Sequence, residues 1–155
     1  MARLARIAFL ATLLLAAGAL AACGDDSTEK HRYVDQLTAA QNAYTKTDRM
    51  LNAAITPTST PRQDRRTLDR LTTAIDRAIA SLRGIDVPPE VTSEHRRFVG
   101  VFETWHGDVE RVVVAIAKPT PSGIKRADRR FAAASKRFNK NVLAAATAID
   151  TKLAG

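Results

Sequence analysis

The sequence has a single cysteine, Cys23, in 155 residues. One thiol allows no intrachain disulfide and no CxxC redox or zinc pair, so the fold must stand on packing alone. Histidine is nearly as scarce, with three copies. The chain contains no CxxCH haem attachment, HExxH helix, glycine-rich phosphate loop or GxSxG elbow. Ser81, Ser93 and Ser135 fall on helical stretches with no recognisable nucleophile setting around them. These absences remove the usual routes to hydrolysis, nucleotide binding and redox chemistry, and the chain reads as a non-enzyme. Strand patterning is missing as well. Arg111 to Ile116 looks extended in isolation because Val112, Val113 and Val114 run together. The helical stripe that enters it from Phe98, and the lack of any partner strand, decide for helix.

Carboxylate ligands are in equally short supply. Glu103-Thr104-Trp105-His106 has the Glu-x-x-His spacing that supplies ligands in di-iron carboxylate bundles. Those bundles need the motif twice, plus a Glu from each of two other helices. Here there is no second copy, and residues 61–83 and 121–153 contain no Glu. His95 and His106 lie about 16 Å apart along a helix, too far to share one ion. No metal and no cofactor is therefore expected. The two histidines read as edge-of-core side chains with local hydrogen bonds, and His31 has no evident partner. A weaker ligand reading is kept for Trp105, His106 and Glu103, as a small-molecule or metal site in the core.

What the chain does contain is helical periodicity. Over about 28–55, Tyr33, Leu37, Ala40, Tyr44 and Leu51 recur at steps of three and four once Thr47 fills the gap. Pro57 ends that run. Thr60-Pro61-Arg62-Gln63 then has the signature of a capping box, opening a helix over 61–83 with Leu68, Leu71, Ile75, Ile79 and Leu82 inward. Gly84 and Ile85 predict a Schellman ending. A third helix over 88–117 carries Phe98, Phe102, Trp105, Val109 and Ile116, with Glu90 and Glu94 in its first turns. Thr120 and Pro121 start a fourth over 121–153, with Ile124, Ala127, Phe131, Ala134, Phe138, Val142, Ala145, Ile149 and Leu153 as its stripe. Four long helices with short links predict an all-α, antiparallel up-down-up-down four-helix bundle over 30–155. A three-helix fold with a merged or frayed segment is the structural alternative.

Charge is unevenly placed. Residues 23–120 carry fourteen basic and fourteen acidic side chains, whereas residues 121–155 carry eight basic and two acidic. At 100° per residue, Lys125, Arg129, Lys136 and Lys140 lie opposite Phe131 and Phe138, flanked by Arg126, Arg130 and Arg137. Such a face either is solvated surface or docks an anionic partner: a wall polymer, lipid headgroups or an acidic protein. Nucleic acid is not expected, because no aromatic side chains interleave with the cations.

The N-terminus supplies an address. Arg3 and Arg6 precede an apolar run from Ile7 to about Leu20, followed by small residues. That is the layout of a signal peptide, and sixteen residues to Ala22 fall short of the roughly 20 that span a bilayer. Leu20-Ala21-Ala22-Cys23 resembles the lipobox of bacterial lipoproteins. The resemblance implies cleavage after residue 22, a diacylglyceryl group on the Cys23 thiol, and a mature chain at the outer face of the cell membrane, facing the periplasm where there are two membranes. Gly24 to Glu29 then read as a short tether. The Ile85-Asp86-Val87-Pro88-Pro89-Glu90 connection, with His95 and Phe98 after it, is loosely similar to the helix-Pro-Pro-helix links of small all-helical lipoproteins from GC-rich Gram-positive bacteria. That likeness carries no known activity. The expectation is a lipid-anchored binding or scaffolding module. If its bundle stands upright, the basic half of the fourth helix faces away from the bilayer.

Overall fold

The computed structural model describes residues 25–56, 58–117 and 120–155. Within them the chain forms four helices: α1 (Asp25–Ala54), α2 (Pro61–Arg83), α3 (Thr92–Ile116) and α4 (Pro121–Ala154). A 3₁₀ turn, Pro89–Val91, leads into α3. Each helix packs on the one that follows it in sequence. Tyr33 near the start of α1 touches His95 at the start of α3, which in turn reaches Leu82 at the end of α2. At the other end, Ile55 shares a cavity with Leu68, Ile116 and Ile124. This is the antiparallel up-down-up-down four-helix bundle expected from the periodicity.

The starts of α2 and α4 follow their punctuation. Gln63 N–H donates to Thr60 Oγ1 at 3.3 Å, and Thr60 N–H donates to Gln63 Oε1 at 2.8 Å, closing the capping box. Gly123 N–H donates to Thr120 Oγ1 at 3.1 Å, which caps α4 ahead of its proline-led first turn.

Three boundaries depart from expectation. Residues Asp25 to Glu29, read as tether, belong to α1; at a helical rise of about 1.5 Å per residue they reach less than half as far as extended chain. The third helix divides at Pro88 and Pro89, so that α3 proper begins at Thr92 and Glu90 sits in the 3₁₀ turn. The Schellman ending of α2 does not form. Gly84 has φ −87° and ψ 0°, and Ile85 N–H reaches only to the Leu82 carbonyl, 3.3 Å away. A side chain from another helix closes that end: the His95 Nε2–H donates to Leu82 O at 3.0 Å.

The centre of the bundle is aromatic. Trp105 stacks on Phe138 with centroids 5.2 Å apart and an 18° interplanar angle. Phe102 meets both Tyr44 and Phe138 edge to face, at 5.2 Å each. Tyr44 also faces Phe138 across the bundle at 5.9 Å, so α1 and α4 meet through these rings. Edge-to-face and offset pairs of this kind add roughly 0.5–1.5 kcal/mol each beyond their buried area. Phe98, Ile75, Leu37, Val109 and Ile149, all fully buried, continue the core toward both ends.

Candidate functional site

The basic face of α4 is the most coherent polar feature. Lys125, Arg126, Arg129, Arg130, Lys136, Arg137 and Lys140 are all exposed, whereas Ala127, Ala134 and Phe138 on the opposite side are buried. The seven cations occupy about 22 Å of helix. One of them is tied down within the described residues: Arg137 Nη2 meets Asp108 Oδ2 on α3 at 2.8 Å, while Arg111 Nη2 takes Oδ1 of the same carboxylate at 2.5 Å. Burial pushes the Asp108 carboxyl up, but the hydrogen bonds and charges of its two arginines outweigh it and hold the group below the usual carboxylate range. The other six make no ion pair among the described residues. Asp128, the one acid within the stretch, turns toward the core; burial, and then Asp64, raise its pKa.

Trp105, His106 and Glu103 do not converge. Trp105 is buried and its Nε1–H donates to Tyr44 OH at 2.7 Å. His106 faces α2, with Nε2 3.1 Å from Asp76 Oδ1 and Nδ1 3.6 Å from Glu110 Oε2. Glu103 is exposed and pairs with Arg83 at 2.6 Å. Trp105 lies on the side of α3 roughly opposite Glu103. Glu103 and His106, three positions apart, share a face but are drawn to different partners, Arg83 for the first and Asp76 and Glu110 for the second. No group of three His, Cys, Asp or Glu that could hold a metal occurs among the described residues.

Two buried polar chains escaped the sequence reading. The bond from Trp105 to Tyr44 continues to Asp48, whose Oδ1 lies 3.5 Å from Tyr44 OH and whose Oδ2 accepts from Asn52 Nδ2 at 2.9 Å. Asp48 is 5 % exposed, and burial pushes its pKa up to about 6. His95, read as an edge residue with local bonds, instead joins three helices. Because the Leu82 carbonyl can only accept, His95 Nε2 carries a proton; burial lowers the ring's pKa and keeps it neutral. Nδ1 is therefore bare, and Tyr33 OH donates to it at 3.1 Å. The i, i+4 spacing of Tyr44, Asp48 and Asn52 on one face of α1 was the available signal for the first chain.

Leu20, Ala21, Ala22 and Cys23 lie outside the described residues. Among the described residues no helix is long and apolar enough to cross a membrane. Compared with protein-family models, curated proteins and solved structures, the chain has no match in any of the three.

Proposed function

We propose that the protein is an extracytoplasmic lipoprotein, anchored through an acylated Cys23, that docks an anionic partner on the exposed face of α4. The observation that carries this reading is the ratio on that face: seven cations, one ion pair. A solvated helix surface ordinarily mixes its signs, and the acids of this chain sit elsewhere. Four of the seven are arginines, whose planar forks match carboxylate and phosphate oxygens better than lysine does. The N-terminal half of α4 lies at the end of the bundle opposite the start of α1. An anchor just ahead of α1 and an upright bundle turn that face outward, which favours a wall polymer or acidic protein over headgroups of the same bilayer.

The test is retention of the full chain on purified cell-wall polyanion, with wild type compared against R129E/R130E/K136E/K140E. Arg137 stays, because it holds Asp108. Binding that weakens with salt and is lost in the variant supports the reading; binding indifferent to both defeats it. The anchor is tested separately, by labelled fatty-acid incorporation that Cys23→Ser should abolish.

A further inference from the structure

A second cationic site lies elsewhere on the surface. The first turns of α2 bring Gln63, Arg66, Thr67 and Arg70 within a 100° arc, and with Thr58 and Ser59 they line a cleft of about 410 Å³. That volume falls within the roughly 300–1,000 Å³ usual for small-ligand sites. No carboxylate lines it, and neither Arg66 nor Arg70 forms an ion pair among the described residues. The two guanidinium groups are one turn apart on the same helix face, where like charges repel. Both side chains are exposed, so core packing does not explain them. The cleft has further donors. Gln63 Oε1 already accepts from Thr60, at 2.8 Å from both its N–H and its Oγ1, so the side-chain amide presents its NH₂ as the remaining group.

We propose that this cleft binds a phosphate group. A planar carboxylate is satisfied by one guanidinium fork. A tetrahedral oxyanion has oxygens left for a second fork and for the amide and hydroxyl groups around it, which is what the cleft offers. The site belongs to α2, which packs on α1 and α3, while the cationic face of α4 lies across the bundle. It therefore stands or falls independently of the docking proposed for α4.

The experiment is a nuclear magnetic resonance titration of the full chain in uncharged detergent. The probes are inorganic phosphate and glycerol 1-phosphate, each against sodium chloride of equal ionic strength. The expected result is saturable movement of the Arg66 and Arg70 Nε–Hε signals and the Thr67 amide. R70Q should weaken it by about tenfold or more, the usual worth of a charge-assisted hydrogen bond. The α4 charge reversal should leave it unchanged. Arg70 is exposed, so R70Q should keep its helical circular dichroism, and lost binding then reports the site and not the fold. Tighter binding of inorganic phosphate marks a free-ion site; tighter binding of the ester marks a phosphorylated group of a larger molecule. Equal shifts with chloride, shifts that persist in R66Q/R70Q, or equal movement of arginines across the surface would each overturn the proposal.

Discussion

Asp48 is the residue at which this fold is held under tension. Its carboxyl is raised from 3.8 to about 6 by burial, so the folded state binds more protons than the unfolded chain between those values. Stability from this group is full below pH 4 and is lost as pH rises through 6, on the order of 3 kcal/mol by pH 7. D48N removes the charge and keeps the shape. It should raise the urea midpoint at pH 7.5 and flatten the fall between pH 4 and 6; an unchanged profile would mean that Asp48 ionises freely. His95 acts with the opposite sign. Its lowered pKa makes the unfolded chain the better proton acceptor below 6.5, so its contribution is present above that pH and declines under it. The two slopes oppose each other: Asp48's contribution falls from about pH 4 upward and His95's is fully regained only at 6.5. These two groups together therefore place a dip in stability, not a maximum, in mildly acidic solution. Ser135 offers a simpler case. It is 1 % exposed and its Oγ has no hydrogen-bond partner among the described residues. S135A should therefore leave thermal stability unchanged or raise it by up to about 1 kcal/mol, since no bond is lost and a desolvated hydroxyl is removed.

The same logic at the level of whole helices separates two glycines that the sequence treats alike. A Cβ on Gly100 in α3 would meet nothing within 4 Å, so G100A should gain helix propensity, about 0.8–1 kcal/mol, read as a higher denaturation midpoint. A Cβ on Gly123 in α4 would come 2.8 Å from Thr120 Oγ1, the atom that caps the helix. G123A should show no such gain, because displacing the cap costs a similar amount; an equal rise in both variants would show that the cap is dispensable. The starts of α2 and α4 were legible in the sequence because Thr60, Pro61, Gln63, Thr120 and Pro121 act within one turn of where they sit. The stripes through Phe98, Phe102, Trp105 and Phe138 were legible because burial imposes one period along a helix. The closing bond of α2 was not, although the helix ends at Arg83 as its spacing predicts, because the Leu82 carbonyl is met by His95, thirteen residues later and on another helix. The cationic face of α4 could be read from its own spacing. The cleft on α2 could not, because the connection after α1 folds back to supply one of its walls.

Folding changes the meaning of the charge distribution over the whole molecule. In the sequence the surplus lies in residues 121–155. In the bundle, the half formed by residues 40–54, 61–72, 104–116 and 121–140 carries fourteen Lys and Arg against six Asp and Glu. The half formed by 25–39, 73–103 and 141–154 carries seven against ten. Arg62, Arg65, Arg66 and Arg70, diluted by distance in the chain, thus join the α4 cations at one end. The molecule is polarised along its axis, positive at the end remote from the start of α1. A field of that form orients the protein before contact as well as attracting it, and it is screened beyond about 10 Å at 0.1 M salt. The expected consequence is end-on capture by a polyanionic surface. A fluorophore at Ala133, exposed among the α4 cations, should become shielded from a neutral collisional quencher when the protein binds. One at Arg32, exposed near the start of α1, should stay accessible. Rising ionic strength should slow association without changing which label is shielded, since salt weakens the approach and leaves the contact surface the same. Equal shielding at both positions would indicate that the bundle lies flat on the polymer, and the polarity of the molecule would then have no part in how it docks.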